Sequence, residues 1–269
     1  IVSMDVGGVV GGLGYGGSLE NCNFIGEVSG RSCVGGVTGS IWREGSLKYC
    51  YATGEVSGRS SVGGVVGNIS GGGGMENCYS TGKVSGGNYV GGVAGQISSA
   101  NSGMKNCYAT GDVSGDFYVG GVVGSIGYGS SMENCYAAGT VSGSSAVGGV
   151  VGSIAGAGNV TSSIINCAAL GPIVTGKLGI GRVVGQNNGP LPGTLSNNIA
   201  FFDMTVTVNG AAKTLDIGAD RLGGADISAA EILADGTLGG RFTEANGWTV
   251  ENGKLPGFGA AVEMPKHIK

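Results

Sequence analysis

Charge is scarce in this chain of 269 residues: 12% of it is Asp, Glu, Lys or Arg, and the formal net charge is −4. The basic residues are scattered, so the electrostatic footprint of a nucleic-acid binder is missing. No run of 18 apolar residues occurs, and no membrane-spanning segment is expected. Histidine is nearly absent. His267 stands alone, which excludes a zinc site built on paired histidines and leaves any Ser-His-Asp or Cys-His arrangement dependent on a tail expected to fray over its last ten residues. Aromatics make up 6% and prolines number five. With so little proline, the 61 glycines do not describe collagen or a Pro/Gly low-complexity chain. A hydrophobic content of 41% and a positive mean hydropathy also argue against disorder.

What is present is a repeat. Val6, Val34, Val62, Val90, Val119, Val147 and Ile180 each open a VGGVVG-like element. Cys22, Cys50, Cys78, Cys107, Cys135 and Cys167 each sit in an Asn-Cys-Tyr-like element, at steps of 28, 28, 29, 28 and 32 residues. A fixed period of this length is the signature of a stacked repeat architecture. Within one copy, residues 50–57 alternate: Cys50, Ala52, Gly54 and Val56 on one face, Tyr51, Thr53, Glu55 and Ser57 on the other, the period of a half-buried strand. Residues 62–69 form a second strand, whose double glycine predicts a bulge or tight bend. Residues 75–77 form a short third segment. A 28-residue unit with three short strands cannot bury its own apolar face, but stacked copies can.

The expected fold is therefore all-β: a right-handed parallel β-helix of about seven coils, the hand following from parallel crossovers. At about 4.8 Å per coil the rod is roughly 35 Å long. A propeller blade needs about 40 residues and four strands, more than 28 residues supply. Regularity fails after Cys167, where Pro172 interrupts a strand and Arg182 replaces the second glycine of its element. Residues 187–192 read as a loop and 195–203 as a last degenerate strand. The solenoid is assigned to 1–190 and an α+β cap sealing its apolar end to 191–269. In the cap, 205–208 reads as a strand entering a turn at Asn209-Gly210, 227–234 as a helix capped by Asp226 or Ser228, and 248–258 as a hairpin turning at Asn252-Gly253.

Stacking turns repeat positions into columns. The six cysteines form one, read as small buried hydrophobes, although disulfides between neighbouring coils are geometrically conceivable. Asn21, Asn77, Asn106, Asn134 and Asn166 form another, with Tyr49 as the exception, read as a structural ladder at a left-handed corner. Cys33 lies off the cysteine column, at a variable and exposed-looking position shared with Asp5, Ser61, Tyr89, Tyr118 and Ala146.

Copies such as Val119-Gly-Gly-Val-Val-Gly124 and Asn106-Cys-Tyr-Ala-Thr-Gly-Asp-Val-Ser-Gly115 resemble the GLUG motif, over about residues 1–185. That motif occurs in bacterial surface proteins and beside the peptidase domain of IgA-specific metallopeptidases. Residues 247–257 are similar to the close of such arrays in Bacteroides-type surface proteins. The resemblance implies a secreted or cell-surface, adhesin-like protein and no particular ligand residues. Ile1 falls inside a repeat, so a trimmed chain is expected, its targeting signal outside it. The peptidase HExxH is absent.

The candidate site is the outer face of the Cys-Tyr strand. Tyr51, Tyr79, Tyr108 and Tyr136 form a stripe beside Thr53, Thr81 and Thr110, and a tyrosine's flat ring with its hydroxyl suits a glycan or a host or matrix protein. The competing reading is that the stacked rings only shield an exposed sheet. Glu27 and Glu55, on adjacent coils, approach the spacing of retaining glycosidases, but Arg31 and Arg59 are expected to neutralise them. No catalytic residue, metal or cofactor is assigned; Gly71–Gly74 lacks a P-loop's Lys-Ser/Thr. The expected function is a monomeric, non-enzymatic binding module, with a passive spacer and a polysaccharide-acting β-helix enzyme as alternatives.

Overall fold

The computed structural model describes residues 4–156, 159–187 and 191–269. Its organising rule is that identical residues lie on one another. In the first sheet Val34 pairs with Val62, Val62 with Val90, Val90 with Val119, Val119 with Val147 and Val147 with Ile180, all parallel. The second sheet stacks Ile41, Ile69, Ile97, Ile126 and Ile154, all fully buried. The third stacks Leu47, Met75, Met104, Met132 and Ile164 together with the cysteines. The fold is an all-β parallel solenoid of about eight turns with one short helix near its end.

Each turn carries four strands where three were expected. Val56–Ser57, Val84–Ser85 and their equivalents form a fourth sheet of their own, because Gly54 and its equivalents break the chain between the cysteine strand and the valine. The double glycine makes the tight bend between first and second sheets. A Cβ on Gly63 would overlap the Val66 carbonyl, and one on Gly64 the Gly92 carbonyl of the next coil. Only glycine allows this approach.

The predicted alternation holds: Cys50, Ala52 and Val56 are buried, whereas Thr53 and Glu55 are exposed. Parallel pairing does not stop at residue 190. Ile199–Phe201 pairs with Ala168–Ala169, Thr205–Val208 with Ile173–Gly176, and Ala225–Ile227 with Ile199–Phe201, so an additional turn lies within the expected cap. Of the expected loop at 187–192, residues 188–190 lie outside the described ones, as does Ile1.

The end of the stack is sealed by the stretch around Leu222, whose carbonyl accepts from the Val183 and Val184 amides. Arg182 explains its own departure from the repeat. Its buried guanidinium donates to the Gly223 and Gly224 carbonyls at 2.9 and 3.0 Å and pairs with Asp226 at 2.7 Å. It thus holds the Leu222–Gly224 stretch where the first and second sheets would take an eighth strand.

Asn209 and Gly210, both at positive φ, make the predicted turn, after which Ala211–Ala212 pairs back antiparallel on Thr207–Val208. The helix Ala229–Asp235 is capped by Ser228 in a capping box with Glu231. Thr249 bridges Gly257 antiparallel across the Asn252-Gly253 turn. The tail does not fray. Ile268 is buried and the His267 ring meets the Leu170 carbonyl at 2.7 Å and packs on Phe201.

Candidate functional site

The columns form as the repeat dictates, and each acquires a physical role. The asparagine corner positions are left-handed, φ between 50° and 55° at Asn77, Asn106, Asn134 and Asn166. That conformation turns each amide along the stack. Asn106 donates to Asn77, Asn134 to Asn106 and Asn166 to Asn134 at 3.0–3.2 Å, and Asn197 extends the run to Asn166 at 2.6 Å. Arg241 closes it by donating to the Asn197 amide oxygen at 2.7 Å.

The cysteines are free thiols. At each of the six column positions the thiol meets the carbonyl two residues earlier, as in Cys78 to Glu76 at 3.2 Å and Cys135 to Glu133 at 3.1 Å. Burial pushes the Cys78 and Cys135 thiols well above the ordinary range, which makes them inert as nucleophiles. Cys22 and Cys33 are only half-buried.

Tyr51, Tyr79, Tyr108 and Tyr136 stack face to face, centroids 4.8, 4.8 and 5.0 Å apart and planes within 6°. They do not form the open stripe that the sequence suggests. The segment after the helix folds back across the ladder. Phe258 packs on Tyr79 and Tyr108, Trp248 on Tyr108 and Tyr136, and Phe242 edge-on to Tyr136. The Tyr136 hydroxyl donates to the Pro256 carbonyl at 2.6 Å, and Asn246 accepts from Asn106. Tyr108 and Tyr136 are consequently buried, and burial raises the pKa of both phenols. The cap therefore seals a flank as well as an end.

The threonine column shows the same gradient. Ile25, Thr53 and Thr81 are exposed, Thr110 is half-buried, and Ala138 and Leu170 are buried. What stays accessible is the first half of the face: Tyr51 and Tyr79 with Thr53 and Thr81. Beside them a recess of about 230 Å³ is lined by Tyr49, Tyr51, Asn77, Tyr79, Phe258 and Gly259. The Asn23 amide donates to the Tyr51 hydroxyl at the head of the ladder.

Glu27 and Glu55 are exposed, and neither lines this recess. The expected pairing with Arg31 and Arg59 does not form; no such ion pair occurs among the described residues. Among the described residues no cluster of three or more His, Cys, Asp or Glu is placed to hold a metal ion, and no helix is long and apolar enough to cross a membrane.

One further column escaped the sequence reading. Two residues before the first five cysteines of the column the charges alternate as Glu20, Lys48, Glu76, Lys105 and Glu133, with Lys48–Glu76 at 3.3 Å and Lys105–Glu133 at 3.6 Å. These two pairs floor a groove of about 530 Å³ bordered by the glycine loops at Gly72–Gly74 and Gly129. The signal is legible in the repeat alignment. Paired and solvated, these charges add little stability and leave no net charge for a ligand.

Comparison with known proteins accords with this architecture. Residues 3–29, 30–57, 58–85 and 115–142 match the family model of the GLUG motif. Residues 86–114, with a loop one residue longer, lie outside the matches yet stack in the same register. No curated protein sequence matches the chain. Among solved structures, a Bacteroides ovatus protein provisionally assigned as an immunoglobulin A1 protease is similar at a TM-score of 0.69 and 26% identity, covering 88% of this chain and 74% of that one. Four of the coils described above thus match the GLUG motif, and the repeats of this chain stack as turns of a parallel β-solenoid.

Proposed function

We propose that this solenoid is a non-enzymatic, adhesin-like binding module, secreted or displayed at a cell surface, that engages an extracellular glycan or a host or matrix protein. The observation that carries the reading is the uncovered end of the tyrosine ladder. Tyr51, Tyr79, Thr53 and Thr81 stay accessible on two adjacent coils, beside the Tyr49 recess, while the same columns are buried farther along. Rings with hydroxyl edges and flanking threonines offer apolar contact and hydrogen bonds together. A relative assigned to act on immunoglobulin A1, an extracellular protein, supports the setting. Glu27 and Glu55 are exposed and neither lines the recess, so this reading calls on no hydrolytic step.

The test is binding of the purified chain to arrayed glycans, mucins and matrix proteins, with a Thr53→Arg/Thr81→Arg double variant alongside. These side chains point to solvent, so the β-sheet spectrum is expected to be unchanged while saturable binding falls at least tenfold. Binding that persists undiminished in the variant removes the site from this face. A chain that binds nothing on the array is a spacer.

A further inference from the structure

A second surface combines aromatic rings with uncharged polar groups, at the corner between the first two sheets. Two columns run side by side there, seven residues apart in sequence. One is the variable left-handed position: Asp5, Cys33, Ser61, Tyr89, Tyr118 and Ala146, with φ between 49° and 57°, followed by Gly179 at 65°. The other is the outward position of the second sheet: Gly12, Ser40, Asn68, Gln96, Ser125, Ser153 and Gln186, paired coil to coil. The Ser40 hydroxyl donates to the Asp5 carboxylate, and a Cβ on Gly179 would overlap the Gln186 side chain, so the two columns are in contact.

Composition changes along this corner. Only two successive coils carry rings. Tyr89 and Tyr118 stack with centroids 4.9 Å apart and planes within 5°. The next coils carry Ala146 and Gly179, so the aromatic wall ends and the surface steps down. Tyr128, exposed on its loop, rises on the far side. The resulting recess measures about 460 Å³ and is lined by Tyr89, Tyr118, Tyr128, Gln96, Ser125, Ser153 and Gln186, with Ile126 and small residues between. That volume is ordinary for a small-molecule site, about 300–1,000 Å³.

The lining holds no carboxylate, ammonium or guanidinium. Three phenols, two primary amides and two serine hydroxyls supply donors and acceptors in close alternation, and the stacked rings supply a flat apolar wall. An anion or cation would lose its hydration here without a counter-charge. A purely apolar ligand would leave the amides unpaired. A molecule that presents hydroxyls on its rim and C–H groups on its face satisfies both demands. We infer that this recess is a binding site for a neutral saccharide, with Tyr118 as the stacking platform and Gln186 and Gln96 as the hydrogen-bonding arms. It lies on different sheets from the tyrosine ladder and does not rest on that proposal.

The repeat provides safe variants. Tyr118→Ala and Gln186→Ser install residues that the fold already accepts one coil away, at Ala146 and Ser153 in the same columns. The probes are neutral hexasaccharides of glucose, mannose, galactose, xylose and N-acetylglucosamine, with hexagalacturonate as the charged comparator, titrated calorimetrically into the intact chain. At least one neutral hexasaccharide is expected to saturate, with its affinity reduced tenfold or more by each substitution. No saturable binding of any neutral probe overturns the inference. So does affinity indifferent to both Tyr118→Ala and Gln186→Ser, or tighter binding of hexagalacturonate.

Discussion

Asn134 shows how much one repeated residue carries. Its amide donates to Asn106 and accepts from Asn166, it is buried, and its φ of 51° is one that Asn adopts more readily than most residues. Asn134→Ala strands a donor and an acceptor in the interior, at about 1–3 kcal/mol, and adds roughly 1 kcal/mol of left-handed strain. A loss on the order of 2–4 kcal/mol in urea denaturation is expected. Asn77→Ala is expected to cost less, because Tyr49 ends the ladder on its other side and only the bond from Asn106 is lost.

The returning C-terminal segment behaves as a strap over the tyrosine ladder, and its hold depends on phenols that stay neutral. An exposed tyrosine titrates near pH 10. Burial raises the pKa of Tyr108 and Tyr136 above that value, so the folded state keeps protons that the unfolded chain releases. The contribution is intact below about pH 10 and is lost as pH rises through the folded-state values. Trp248 emission is therefore expected to shift to the red above pH 10 as the strap detaches, and Tyr108→Phe/Tyr136→Phe is expected to move that transition to higher pH. An identical profile in the double variant would remove the phenols from the explanation. The strap also marks the limit of what the sequence discloses. The cysteine, asparagine and tyrosine columns are legible because each residue's neighbour is its own copy 28 residues away. The Asn252-Gly253 turn is legible because it is local. The meeting of Trp248 with Tyr108 joins residues 140 apart with no period between them, so the buried half of the face was invisible. The Tyr89–Gln96 corner was visible only as a variable column, since its meaning depends on two columns touching.

For the molecule as a whole, each coil bonds chiefly to the coils on either side, and stability is close to a sum of nearest-neighbour terms. The strap departs from that rule by tying several coils together, through Phe258 on Tyr79, Trp248 on Tyr108 and Phe242 on Tyr136, with His267 on Leu170 beyond them. The buried thiols report on the difference. In native thiol exchange, half-buried Cys22 and Cys33 are expected to react at once, Cys50 next, and Cys107, Cys135 and Cys167 last, with all seven titrating after denaturation. Equal rates for Cys50 and Cys135 would show that the strap adds nothing to local opening. The same asymmetry has a mechanical side. Under tension applied at its two ends, a coil that peels away adds about 95 Å of contour for its 28 residues. The early coils should yield as a series of equal short extensions, whereas the strapped coils should hold to a higher force and then lengthen together in a single long step.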